Sequence, residues 1–278
     1  MADQVLQGAR PRTAADRAWW QKLTWLVVLI AGVGFYLLVL RTLVATENIN
    51  FFPSLILLGS ITVPATVLVF AWDTGRQPAV SARIVAVTAV CGGIIGTLAA
   101  GTLEYDALKR LGTLPMLAVG VIEELAKMVV PAILLLVVRR PKPGAGLIVG
   151  VASGMGFATL ETMGYGFTAL LQAKSLAAVD ETLLLRALLA PAGHVAWTGM
   201  TVAALWQIPI AHRKGRAVAV AVGALVLAVV LHTLWDGSNN LIVHIAVVVL
   251  SLAILLVLIH RSHRIPRVDA SDMGTSIH

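Results

Sequence analysis

The sequence has 278 residues, of which 58% are hydrophobic and 13% are charged. An ordinary soluble domain is roughly 45–50% apolar and about 25% charged, so this composition excludes a typical water-soluble globular protein. The formal net charge is +7, but the basic residues lie at the ends of apolar runs, where they orient a membrane protein, and no nucleic-acid partner is indicated.

Apolar runs of about 20 residues, the length that crosses a ~30 Å hydrocarbon core, recur along the chain. They predict an all-α polytopic integral membrane protein with about eight transmembrane helices and an intramembrane polar site. In chain order the predicted spans are Leu23 to Leu40, Phe51 to Trp72, Ile84 to Leu103, Leu114 to Val138, Gly146 to Leu171, Leu183 to Ile210, Ala217 to Trp235 and Leu241 to Ile259. One transmembrane domain, 23–260, is predicted between a basic N-terminal segment, 1–22, and a basic tail, 261–278.

The basic residues predict the orientation of these spans. Of the 21 lysines and arginines, most fall in the N-terminal segment, in the tail and in the loops on that same side, and Lys127 lies inside a span. Because positively charged loops stay in the cytoplasm, both termini are predicted to be cytoplasmic.

A small set of ionisable residues lies within the predicted spans or at their ends. A charge at the centre of a bilayer costs about 2.5–3.5 kcal/mol on insertion scales, so these groups must be paired, neutralised or hydrated. The set is Glu123, Glu124, Lys127, Glu161, His194, His232 and Asp236.

Helical spacing groups some of these residues. Glu123 and Glu124 precede Lys127 by four and three positions, so one lysine faces both carboxylates. Of two adjacent carboxylates at low dielectric, one is expected to hold a proton while the other acts as a base. His232 and Asp236 are also four apart, which places an acceptor beside the histidine, although Asp236 also fits a plain loop residue at a helix end.

Depth and packing allow the residues to meet. Glu123, Glu161 and His194 lie about 14–16 Å from the outer ends of their predicted spans at 1.5 Å per residue, which predicts a site open to the extracytoplasmic side. Glycines at positions 146, 150 and 154 form a small-residue face, and close helix approach there is expected to bring Glu161 beside the span that carries Glu123.

Four patterns occur in order on successive spans: EExxK at 123–127, FxxxE at 157–161, His194, and HxxxD at 232–236. Together they resemble the PrsW family of intramembrane proteases, within the wider group of CAAX prenyl proteases and bacteriocin-processing-type proteases, over about residues 114–240. The resemblance implies a glutamate-dependent peptidase of the bacterial cytoplasmic membrane that cleaves membrane-associated proteins, such as an anti-sigma factor. CAAX prenyl proteases carry EExxxR and FxxxH, so the shorter spacing and Glu161 here speak against prenyl-tail processing.

The hypothesis is that Glu123 or Glu124 takes a proton from the attacking water. His194 then orients the water or protonates the leaving amine, His232 donates to the oxyanion, and Glu161 shares a proton with the glutamate pair. No cofactor is required on this reading.

Other functions remain open. Two histidines and two carboxylates also suit zinc with an open position, which gives a metal-dependent alternative. A proton-coupled transporter or a catalytically inactive scaffold are further alternatives. The expected partners are a membrane-protein substrate and the lipid bilayer, and the oligomeric state is not indicated.

Overall fold

The computed structural model describes residues 23–73, 80–138 and 141–263. Within these ranges the chain is helical, with no strand. The longer helices are α1 (Thr24–Thr46), α2 (Phe52–Asp73), α3 (Ala82–Leu111), α4 (Met116–Val138), α5 (Ala145–Ala173), α6 (Leu176–Leu189), α7 (His194–Leu205), α8 (Lys214–Gly237) and α9 (Leu241–His263). The predicted segment 1–22 and most of the predicted tail lie outside the described residues.

Seven helical segments of the described chain are long and apolar enough to cross a membrane. They are Thr24–Thr46, Ile49–Trp72, Ala82–Leu111, Ala145–Ala173, Leu176–Ile210, Lys214–Gly237 and Leu241–Ser262. α4, the remaining long helix, coincides with the predicted Leu114 to Val138 span but carries two glutamates and a lysine. The prediction of an all-α polytopic membrane protein is confirmed.

α5 is the central helix of the fold. In the most apolar stretch of α5, 83% of the residues are buried inside the protein, whereas the corresponding share in α1 is 11%. It packs against α3 and α7 most extensively, and also against α2 and α6. The site residues carried by α5 therefore lie in the protein interior rather than against lipid.

The glycine face of α5 has a different partner from the one predicted. A Cβ on Gly150 would lie 2.6 Å from the carbonyl oxygen of Thr198, and a Cβ on Gly154 would meet the carbonyl oxygen of His194. The small residues thus pack α7 against α5, whereas α4 was expected on this face. α5 does contact α4, as predicted, but through other positions such as Ser153 and Phe157, because a small-residue face permits close approach without specifying which helix approaches.

The predicted span Leu183 to Ile210 is not one continuous helix. α6 ends at Leu189, a short 3-10 turn covers Ala190–Ala192, and α7 begins at His194. Pro191 lacks a backbone N–H, and Gly193 adopts φ −110° and ψ −122°, so the hydrogen-bond ladder stops here. The break places His194 at the start of a helix instead of in the middle of one.

A tight turn separates α3 from α4. Gly112 follows α3 with φ 70°, a left-handed conformation that glycine adopts without steric cost, and its N–H donates to the carbonyl of Leu108 at 2.9 Å. The chain then enters α4 four residues later and runs back beside α3. This return places the α4 glutamates against α5 and α8.

Candidate active site

Two glutamates and a lysine on α4 form a buried ion cluster. The Lys127 ammonium nitrogen lies 3.1 Å from Glu123 Oε2 and 2.8 Å from Glu124 Oε1. The side chain of Lys127 is fully buried, and that of Glu124 is 1% exposed. The structure thus brings together the three residues that helical spacing grouped.

The FxxxE pattern places two side chains of α5 at the site. Phe157 is buried, and its ring centroid lies 4.3 Å from the Lys127 ammonium, an attractive cation–π geometry. Ser153 Oγ, one turn earlier, donates to the Lys127 carbonyl oxygen at 2.9 Å. These contacts tie α5 to the charged turn of α4, and Glu161 follows Phe157 on the same side of α5.

His194 bridges the α4 cluster and Glu161. Its Nδ1 lies 2.8 Å from the Lys127 ammonium, and its Nε2 lies 2.8 Å from Glu161 Oε2. An ammonium group only donates hydrogen bonds, so Nδ1 is the acceptor and the ring proton is on Nε2, facing the carboxylate. The surroundings therefore select one tautomer of His194.

His232 on α8 lies between two carboxylates. Its Nδ1 is 2.9 Å from Glu124 Oε1, and its Nε2 is 3.0 Å from Asp236 Oδ2. Carboxylates accept hydrogen bonds, so with both acids ionised the ring carries a proton on each nitrogen. Asp236 thus contacts His232, as the i, i+4 spacing predicted, and its orienting role stays a prediction.

Aromatic rings enclose the two histidines. The ring centroids of His194 and His232 are 5.3 Å apart, and the Trp197 ring lies 5.5 Å and 5.1 Å from them. Trp197 is itself held by a hydrogen bond from its Nε1 to Ser251 Oγ at 2.9 Å. The imidazoles are therefore restrained by packing as well as by hydrogen bonds.

Glu161 is paired with a residue that the sequence interpretation assigned to membrane orientation alone. Arg186 Nη2 on α6 lies 2.6 Å from Glu161 Oε2, so this carboxylate forms ion pairs with an arginine and a histidine, although Oε2 accepts no well-aligned hydrogen bond from the described residues. The predicted sharing of a proton between Glu161 and the α4 glutamates stays a prediction. In the sequence, Arg186 could have been noticed because it lies inside an apolar run, just before the helix-breaking Pro191.

The sequence interpretation also missed Glu104, an acidic residue near the cluster. Glu104 on α3 has a buried Oε1 without a hydrogen-bond partner among the described residues. Its carboxylate is within electrostatic range of Glu123 and Glu161. Glu104 belongs to none of the four recognised patterns, and only its place near the end of a long apolar helix pointed to it.

A cavity of about 100 Å³ leads to the site between α5, α6, α7, α8 and α9. Its polar lining includes Glu161, Arg186, His194 and Asp236, and Gly193 contributes backbone from the helix break. Leucine and tryptophan side chains form much of the remaining wall. The helix break therefore borders a cavity that reaches His194, whereas His232 and the α4 cluster lie behind its wall.

Three of the site residues have the chemistry of a metal-binding group. Glu123, His194 and His232 each offer one ligand atom, and these atoms lie within 4.8 Å of one another. Two imidazoles and a carboxylate are a common ligand set for catalytic zinc. The type and spacing of the donors fit a single divalent cation when His232 is neutral, because a ring that carries a proton on both nitrogens has no lone pair for a metal ion.

Comparison with known proteins identifies the family. The family described as PrsW family intramembrane metalloprotease matches residues 80–260, well over half of the chain. No curated protein and no solved structure matches at a significant level. The matched region contains α4, α5, α7 and α8, which carry the charged cluster, and on this evidence the chain belongs to the PrsW family of intramembrane proteases.

Proposed function

We propose that the protein is a glutamate-dependent peptidase that hydrolyses a peptide bond of a membrane-protein substrate, with Glu123 as the general base. The observation that carries this proposal is the unequal engagement of the two adjacent glutamates. Glu124 Oε1 contacts both Lys127 at 2.8 Å and His232 at 2.9 Å. Glu123 Oε2 has longer contacts to the same residues, 3.1 Å and 3.6 Å, and its side chain is 10% exposed against 1%.

A general base needs an oxygen that is free to bind the water it deprotonates. Glu123 meets this requirement better than Glu124, whose contacting oxygen is shared by two donors. In the proposed reaction Glu123 takes a proton from water as the water oxygen attacks the peptide carbonyl carbon. The C–N bond then breaks, and the proton passes to the leaving amine.

The histidines and Lys127 stabilise charge during these steps. His194 lines the cavity, so it is placed to relay the proton to the amine. His232, held by Glu124 and Asp236, offsets the negative charge that develops on the carbonyl oxygen. Lys127 balances the charge of the glutamate pair throughout.

The proposed location of cleavage rests on the charge distribution of the sequence, and the proposed substrate class rests on the family resemblance. The excess of basic residues on one side supports cytoplasmic termini and a cavity facing the extracytoplasmic half of the bacterial cytoplasmic membrane. A membrane-anchored protein with an extracytoplasmic segment, of the anti-sigma-factor type, is the substrate class that we propose.

The test is cleavage of a panel of single-span membrane proteins by purified protein in detergent. Glu123→Gln is compared with wild type and with Glu181→Gln, a matched change at an exposed site on α6. Glu123→Gln should lose cleavage while Glu181→Gln retains it. Wild-type rates in Glu123→Gln, or no cleavage by wild type of any panel member, would contradict the proposal.

Metal-dependent hydrolysis is the second candidate, favoured by the donor group and by the description of the matching family. Glu123, His194 and His232 would hold the ion, which would supply an activated water and polarise the carbonyl. The preference for the glutamate mechanism rests on Lys127, whose ammonium already lies between Glu123 and His194. Metal analysis of purified wild type beside His194→Ala, with cleavage measured before and after chelation, separates the two mechanisms.

A further inference from the structure

Arg186 lies at the cavity but belongs to none of the family patterns found in the sequence. It is on α6, before the helix break, and it lines the cavity with Glu161 and His194. Its side chain is 28% exposed, so most of it is covered by neighbouring side chains. An arginine within an apolar helix is costly unless it is paired.

Three contacts dock the guanidinium of Arg186 on one short stretch of α5. Nη2 lies 2.6 Å from Glu161 Oε2, and Nε donates to Thr162 Oγ1 at 3.4 Å. The guanidinium carbon also lies 3.9 Å from the centroid of the Tyr165 ring. A planar group with several donors satisfies these contacts at once, whereas an ammonium group is a point charge.

The contacts continue from Arg186 into the charged cluster. Glu161 Oε2 contacts both Arg186 Nη2 and His194 Nε2, at 2.6 Å and 2.8 Å. The other ring nitrogen of His194 lies 2.8 Å from Lys127. The His194 ring is therefore held on one side by Lys127 of α4 and on the other by Glu161 of α5, and the second contact depends on the orientation of the Glu161 carboxylate.

We propose that Arg186 is a positioning residue: it fixes the Glu161 carboxylate against His194, so that the ring proton stays on Nε2 and Nδ1 is presented to Lys127. The catalytic consequence rests on the proposed peptidase function, but the effect on the His194 ring does not. Without the guanidinium, the carboxylate is free to turn into the cavity, and His194 loses its fixed partner. Partners that orient the histidine ligands of metal sites typically affect activity by about 10–100-fold, and we expect an effect of the same size at His194.

The activity test compares Arg186→Gln and Arg186→Lys with Arg110→Gln, a matched change at an exposed arginine on α3. We expect kcat of Arg186→Gln to fall about 10–100-fold with KM little changed. Arg186→Lys should recover only part of the loss, and Arg110→Gln should match wild type. Because Arg186 acts through Glu161, the double variant Arg186→Gln/Glu161→Gln should be no slower than the slower single variant. A wild-type kcat in Arg186→Gln, or additive losses in the double variant, would overturn the proposal.

Nitrogen NMR of protein labelled at histidine provides a readout that requires no turnover. The His194 signals are assigned by their absence in His194→Gln, and thermal unfolding shows that each variant is folded. We expect a proton on Nε2 alone in wild type and in Arg110→Gln, and a mixture of tautomers in Arg186→Gln. An unchanged His194 signal in Arg186→Gln would refute the positioning role. A changed signal in a protein that cleaves no substrate would support the positioning role and refute the peptidase assignment.

Discussion

The ammonium nitrogen of Lys127 lies 2.8 Å from Nδ1 of His194, a residue 67 positions further along the chain. The same ammonium contacts Glu123 and Glu124 within its own helix. Lys127 is therefore the common donor to three acceptors from two helices, and it neutralises carboxylates that are buried in the protein. This arrangement makes it the residue on which the geometry of the site depends most directly.

Lys127→Met is expected to destabilise the protein strongly. Removing one partner of a buried ion pair leaves charge uncompensated and typically costs about 3–5 kcal/mol. The midpoint of thermal unfolding in detergent, followed by tryptophan fluorescence, measures the loss. The triple variant Lys127→Met/Glu123→Gln/Glu124→Gln removes the unpaired charges and should recover most of the stability. A wild-type midpoint in Lys127→Met, or no recovery in the triple variant, would show that the cluster does not depend on this cation.

Glu124→Gln should reduce stability more than Glu123→Gln. Glu124 Oε1 accepts from two buried donors, and a neutral amide weakens both hydrogen bonds, by about 1–3 kcal/mol in total. Glu123 has the longer contacts and the more exposed side chain, so its substitution should affect cleavage more than unfolding. Unfolding midpoints measured in parallel test this order, and a larger shift in Glu123→Gln would reverse the roles assigned to the two residues.

The parts of the site that the sequence predicted are those that follow from helical periodicity. Glu123 with Lys127, and His232 with Asp236, are pairs within one helix, so their contacts depend only on that helix forming. The break before His194 was missed because Pro191 and Gly193 lie in an apolar run that reads as one span by length. Arg186 was missed because its partner, Glu161, lies on another helix, and spacing along the chain carries no information on which helices become neighbours.

Glu104→Gln is expected to stabilise the protein. Its carboxylate has a buried oxygen without a hydrogen-bond partner among the described residues, and the nearby charges are of both signs, with Glu123 and Glu161 opposed by Lys127 and His232. Burial is the largest effect that disfavours the charge, so removing the charge is expected to stabilise the fold, by an amount on the order of 1 kcal/mol. The thermal midpoint should therefore rise in Glu104→Gln and stay unchanged in Asp106→Asn, an exposed position on the same helix. A lower midpoint would mean that the Glu104 charge is paired in the folded protein.

Gly154→Ala should disturb the site without changing any charged residue. A Cβ at this position would collide with the His194 carbonyl, so α7 must shift away from α5. Overpacking of this kind typically costs about 1–3 kcal/mol, and here it also displaces the first residue of α7, which carries the imidazole.

A Cβ on Gly164, in the same helix, would meet no atom of another helix within 4 Å, so Gly164→Ala is a matched control. Cleavage and the unfolding midpoint should both fall in Gly154→Ala and remain at wild-type values in Gly164→Ala. Equal behaviour of the two variants would show that close packing of α5 on α7 does not position His194.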